Sequence, residues 1–251
     1  MRRRVIAAVL VCMAAIAAGT GGGARAETVD LLLVLAADVS RSIDDDEFNL
    51  QRKGYANAIT DPEVLSAIIG GKHHAIAVTF VEWSGAGEQN VVIDWTVVRD
   101  GEAAAAIASA IMSAPRSFVG RTAIGAAIDF AVQRLQASPA QAERQVIDVS
   151  GDGTSNAGRA VTEARDEAVA AGITINGLAI ANNRSSPGYA FHTQPPGGLA
   201  KWYRENVIGG PGAFLITVED FHSFADAITR KLVSEIAGIS DTAPRRWAGL
   251  P

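Results

Sequence analysis

One run constrains the fold more than any other. Val29 to Ala37 (VDLLLVLAA) is apolar at nearly every position. A strand with one wet face alternates apolar and polar side chains. A run apolar on both phases of the two-residue period belongs to a strand covered on both faces. Two covered faces need helices above and below, which is the layout of an α/β sheet.

The rest of the chain supplies the remaining layers. Asp44 to Thr60 reads as a helix with Phe48, Tyr55 and Ile59 near one face. Ala75 to Trp83 and Val91 to Val98 are rich in β-branched and aromatic residues, and Gly85-Ala86-Gly87 between them predicts a hairpin. Trp83 and Trp95 are expected to pack across it. Helices follow at Glu102 to Ser113 and Ala123 to Ala137, then a strand at Gln145 to Val149 and a helix at Arg159 to Ala171. A strand at Ile173 to Ile180 leads into a polar loop, Asn182 to Gly198. A short helix at Leu199 to Asn206, a strand at Ala213 to Val218 and a helix at Phe221 to Ala237 close the fold. This alternation predicts a single doubly wound, mostly parallel sheet with one antiparallel edge strand and helices on both faces. No internal repeat or linker interrupts residues 27–239, read as one domain, and residues 240–251 read as a flexible tail.

Residues 1–26 read as a leader. Met1-Arg2-Arg3-Arg4 is basic, Val5 to Ala18 is apolar, and Ala24-Arg25-Ala26 is a small-x-small cleavage site. That is the layout of a secretory signal peptide. The apolar run breaks at Gly19, short of the roughly 20 residues that span a bilayer, and no later run is long enough. The mature chain is therefore expected to be exported, periplasmic or secreted, with no transmembrane segment. Losing Arg2, Arg3, Arg4 and Arg25 lowers the basic count from 22 to 18 against 27 acidic residues, a net charge of −9. Such a chain is not built to bind nucleic acid, which needs clustered Lys and Arg. The lone Cys12 leaves with the leader, excluding disulfides, cysteine zinc clusters and a thiol nucleophile.

In open parallel sheets, ligands bind beyond the carboxyl ends of the strands, where strand order reverses. Three polar turns are expected there: Asp38-Val39-Ser40-Arg41-Ser42 after the first strand, Gly120-Arg121-Thr122 before a helix, and Ser150-Gly151-Asp152-Gly153-Thr154 after another strand. Asp38 and Asp152 offer carboxylates; Ser40, Ser42 and Thr122 offer hydroxyls. An all-oxygen set suits a hard divalent cation, Mg²⁺ first and Ca²⁺ or Mn²⁺ after it, rather than zinc or copper. With two carboxylates and neutral hydroxyls around it, the cation keeps an open position for a partner's carboxylate. Asp44 to Glu47 reads as an acidic helix start. His73, His74, His192 and His222 show no zinc-site spacing, and Asn183-Arg184-Ser185 is only a short acceptor triplet. Asp148, inside a strand where an apolar side chain is usual, either pairs with a basic group or adds to the site.

The strand ending in Asp-x-Ser-x-Ser, the later Thr and the Asp-Gly after another strand resemble the von Willebrand factor A domain and its metal-ion-dependent adhesion site. Asp38, Ser40 and Ser42 match the first motif, Thr122 the second and Asp152 the third. The resemblance covers about Val29 to Ala237. The runs DVSRSIDDDEF, GRTAIGAAIDFA and RQVIDVSGDGTSN are similar to a family of exported bacterial A-domain-like proteins of unknown function. The resemblance implies reversible, cation-dependent binding of a protein partner.

Three function classes remain. The first is a metal-dependent binding module, not an enzyme. The second is a structural or assembly component of a cell-envelope complex with metal-independent contacts, the long loop from Asn182 serving as its specificity element. Ranked third is a metal-dependent hydrolase; position 40 is Ser where a phosphoaspartate enzyme has its second Asp, and no nucleophile elbow or phosphate-cradling loop is present. The sequence names neither the partner nor the oligomeric state.

Overall fold

The apolar run becomes β2 (Leu32–Asp38), buried along its whole length. It lies in a six-stranded sheet, in the order β4 (Gln89–Val98), β3 (Ile76–Trp83), β2, β6 (Gln145–Gly151), β7 (Thr174–Ile180) and β8 (Leu215–Val218). All neighbours are parallel except β3 and β4, which pair antiparallel as the edge hairpin. The computed structural model describes residues 26–181 and 195–238. The expected leader up to Arg25, residues 182–194 of the expected loop with Asn183 and His192, and the tail lie outside the described residues.

The helices are α1 (Asp45–Thr60), α2 (Pro62–Ile69), α3 (Gly101–Ser113), α4 (Ile124–Gln136), α5 (Val161–Ala170), α6 (Leu199–Asn206) and α7 (Phe224–Ala237), the last entered through a 3₁₀ turn at Phe221–Ser223. They divide between the faces as the two-phase run demands. Leu33 and Leu35 meet Tyr55 and Ile59 of α1, Ile68 of α2, Ile107 of α3 and Ile228 of α7 in one core. Leu32, Val34 and Ala36 meet Ile128 of α4, Ala168 of α5 and Tyr203 of α6 in the other. Each fully buried Leu, Ile or Val contributes about 1.5–3 kcal/mol, so one strand anchors both layers.

Three features differ from the sequence reading. Helix α2 emerges with Asp61 as its N-cap and Pro62 at its first position, a start that proline's fixed φ favours. It spans 8 residues and buries only Val64 and Ile68, too little to show a period. A two-residue parallel pair, β1 (Glu27–Thr28) with β5 (Ala140–Gln141), also lies below any periodic signal. Trp83 and Trp95 do not pair across the hairpin: Trp83 stands opposite Gln89, and the Trp95 indole donates to the Arg134 carbonyl at 3.0 Å. A register shift near Phe80 sets that pairing.

From β2 the chain runs to β3 on one side. From β6 it runs to β7 and β8 on the other. Strand order therefore reverses between β2 and β6, and Asp38 and Asp152 stand at the carboxyl ends of those two strands. That crevice is where an open α/β sheet places its ligand.

Candidate metal centre

The loop from β2 to α1 folds tightly around its first residue. Asp38 Oδ1 accepts the Ser40 N–H at 2.7 Å, and the Gln51 side chain of α1 donates to the Asp38 carbonyl at 3.1 Å. The loop's carbonyls are gathered by one side chain outside it. Arg116 Nη2 donates to the carbonyls of Val39, Ser40 and Ile43 at 3.0, 3.1 and 2.7 Å, and Nη1 lies 3.3 Å from Asp45. Charge-assisted bonds of this kind are the stronger sort. With the carbonyls so held, the loop's two serine hydroxyls join a network on the crevice side.

Those hydroxyls form one chain. Thr122 Oγ1 donates to Ser40 Oγ at 3.2 Å, the Ser40 and Ser42 hydroxyls meet at 3.3 Å, and Ser42 Oγ donates to Asp152 Oδ1 at 2.7 Å. The three turns named from the sequence are thus brought together. Asp38, Ser40, Thr122 and Asp152 are buried, while Ser42 is half-buried and lies toward solvent.

Thr122 is fixed from behind. Its N–H donates to Asn156 Oδ1 at 3.0 Å, and its carbonyl accepts from the N–H groups of Asn156 and Ala157 at 2.8 and 3.1 Å. Two glycines permit the close approaches. A Cβ at Gly120 would overlap the Glu88 carboxylate, and one at Gly151 would stand 2.6 Å from the Tyr203 hydroxyl and 3.1 Å from Asp38 Oδ2. Below this level the Arg52–Glu82 pair, at 2.6 Å, steadies the segment that carries Arg116. Arg52 also donates to the Ile111 and Pro115 carbonyls, and Glu82 Oε2 accepts the Ser117 N–H.

The electrostatics are those of two acids pressed together. Burial, and then the Asp152 carboxylate, hold the Asp38 carboxyl well above its ordinary range; Arg116 is the smallest of the opposing influences. Burial, then Asp38 and Asp152, raise the Tyr203 phenol well above its usual value. Asp38 Oδ2 meets no hydrogen-bond donor among the described residues. A divalent cation would reverse this penalty. The donors are all oxygens, matching a hard cation. Among the described residues no group of three His, Cys, Asp or Glu side chains gathers, so any cation here depends on the hydroxyls as much as on the acids.

Other sequence candidates fall elsewhere. Asp44 and Glu47 form a reciprocal capping box at the start of α1, as its acidic first turn suggests. Asp148 belongs to a separate cluster, with Lys231 Nζ at 2.7 Å. Arg116, Asn156 and Tyr203 were not among the sequence candidates. Asn156 closes the run GDGTSN, next to the turn that carries Asp152, and that adjacency is its sequence signal; Arg116 lies in an aperiodic segment, and Tyr203 reads as core.

With this geometry in view, the chain's relatives can be placed. It belongs to the family described as "Protein of unknown function (DUF1194)", whose model matches residues 28–240. Comparison with curated proteins gives no match. Among solved structures, proximal thread matrix protein 1 from the mussel byssus matches at 15% identity and a TM-score of 0.61, over 84% of this chain and 49% of that one. A second structure of that protein, with a zinc-occupied MIDAS motif, matches at 13% identity and 0.59, again over 84% and 49%. The chain thus spans about half the length of the mussel protein. An aerotolerance-related membrane protein from Bacteroides fragilis matches at 17% identity and 0.54, over 83% of this chain and 100% of that one. A von Willebrand factor type A structure from Catenulispora acidiphila matches at 16% identity and 0.56, over 84% and 43%. The fold is therefore that of a von Willebrand factor A domain.

Proposed function

Taking membership of this family as the starting point, we propose that the chain is an exported binding module. It holds a divalent cation on Asp38, Ser40, Ser42, Thr122 and Asp152, and uses that cation to take a carboxylate from a protein partner. The observation that carries the reading is the pairing of two buried carboxylates at the switch point with one continuous chain of three hydroxyls. A fold alone would not support it, because one fold hosts many functions. Asp38 Oδ2, buried and without a donor among the described residues, supports it further. So does the zinc-occupied MIDAS motif of the mussel protein.

Mg²⁺ is the first choice, with waters completing its shell, because it prefers oxygen ligands and keeps several waters. The half-buried Ser42 marks the side from which a partner reaches the ion. The basic, apolar and small-residue runs before Glu27 support export through a signal peptide. No general base stands out within the hydroxyl chain, which favours binding over turnover.

Titration calorimetry tests the metal half of this reading. Mg²⁺, Ca²⁺, Mn²⁺ and Zn²⁺ are added in turn to chelator-treated protein. One binding event per chain is expected, absent from Asp152→Asn. No heat with any of the four, or an unchanged isotherm in Asp152→Asn, contradicts it.

A further inference from the structure

Among the described residues two tyrosines are buried against this sheet, Tyr55 from α1 on one face and Tyr203 from α6 on the other. Tyr55, on the α1 side, shares a hydrogen bond with Ser150 Oγ at 2.9 Å. Tyr203, on the α6 side, is equally buried, yet its hydroxyl meets no hydrogen-bond partner among the described residues. Its ring is accounted for by core packing, including an edge contact with Trp202 at 5.8 Å between centroids. The hydroxyl is not. A phenylalanine would fill the same space without burying an unpaired polar group, which is costly.

Its position suggests why a phenol stands there. A Cβ at Gly151 would meet the Tyr203 hydroxyl at 2.6 Å and Asp38 Oδ2 at 3.1 Å. Two buried oxygens without a hydrogen-bond partner among the described residues, Tyr203 Oη and Asp38 Oδ2, therefore share the space over one glycine, which stays open because glycine has no side chain. As the carboxylate that would hold a cation, Asp38 can only accept, and the phenol can donate. A tyrosine phenol is protonated at neutral pH, so it is available as a donor.

We propose that Tyr203 is a positioning residue of the metal centre: its hydroxyl supplies the hydrogen bond that Asp38 Oδ2 lacks, directly or through one water, and so holds that carboxylate in its metal-binding orientation. The inference rests on the metal reading above and deepens it. Groups that orient a ligand from outside the first ring of donors typically set metal affinity by 10–100-fold.

The test compares the wild type, Tyr203→Phe and the control Tyr55→Phe by Mg²⁺ and Mn²⁺ titration and by near-ultraviolet tyrosine difference absorbance. Tyr203→Phe is expected to fold with an unchanged or higher midpoint in chelator, because its ring packing is kept. Its cation dissociation constant should rise about tenfold, and the tyrosine difference signal seen on adding cation to the wild type should vanish. Tyr55→Phe should keep both the affinity and the signal. Gly151→Ala, which presses on both oxygens, should weaken the cation as well. A Tyr203→Phe protein that binds cation as tightly as the wild type, or retains the signal, overturns the proposal while leaving the metal reading intact. A wild type that takes no cation overturns the metal reading, and this inference with it.

Discussion

Two pairs of acids are buried around the same strand, four residues apart, and they are treated differently. Asp148, in the middle of β6, faces Glu235 of α7, and Lys231 sits between them at 2.7 and 2.5 Å. Asn176 of β7 donates to the same Glu235 oxygen at 2.9 Å, and the Asn176 side-chain oxygen accepts the Phe214 N–H at 3.0 Å. Asp152, just past the end of β6, faces Asp38 across the crevice, and hydroxyls run between the turns that carry them. The first pair has a built-in cation; at the second, Asp38 forms no ion pair among the described residues. A buried acid pair closed by lysine ties a helix to a sheet. A buried acid pair lined by hydroxyls at a sheet's switch point is suited to borrow its cation from solution.

The sharpest way to break the comparison is to remove the built-in cation. Lys231→Met should leave Asp148 and Glu235 buried without their ammonium and cost about 3–5 kcal/mol, read by urea unfolding. A loss under 1 kcal/mol would mean that the lysine does not hold α7 in place.

Protonation probes the same cluster more gently. Burial, against the pull of Lys231, raises the Glu235 carboxyl from 4.5 to about 7. An acid whose folded value is raised gives stability that is fully present below its ordinary value and lost as pH rises through the folded one. The stability advantage of the wild type over Glu235→Gln should therefore shrink by about 3 kcal/mol between pH 4 and pH 8, measured by unfolding at each pH. A difference that stays flat would show that Glu235 does not titrate in the folded state.

At the other pair, the scaffold is the target. Arg116→Met removes three charge-assisted bonds to the β2–α1 loop. It should cost about 2 kcal/mol of stability and weaken cation binding, because Ser40 and Ser42 lose the frame that presents them. Unchanged cation affinity would mean the loop holds its shape without the arginine.

How much of this was legible in the sequence follows from the range of each contact. The doubly covered run at Val29 to Ala37 and the alternation after it were enough for the sheet, its antiparallel edge and both helix layers. Asp38, Ser40, Ser42, Thr122 and Asp152 stood out because each follows a strand or opens a helix, where local pattern marks position. Arg116 serves carbonyls more than 70 positions earlier in the chain, from a segment without periodicity. Asp148 announced itself as a polar residue in an apolar strand, but nothing local pointed to Lys231, its partner on the last helix. Helix α2 was missed because its 8 residues bury too little to show a stripe.

The most direct measurement is thermal unfolding of the wild type and Asp38→Asn, each in chelator and each with Mg²⁺. Asparagine keeps the oxygen that accepts the Ser40 N–H and removes the charge. In chelator, Asp38→Asn should unfold above the wild type, because one of two facing acids is gone. Mg²⁺ at a hundredfold excess over its dissociation constant should then stabilise the wild type by about 2.7 kcal/mol and leave Asp38→Asn unmoved. A wild-type midpoint indifferent to Mg²⁺, Ca²⁺, Mn²⁺ and Zn²⁺, or an Asp38→Asn protein that responds as fully as the wild type, would contradict a cation held between these two carboxylates.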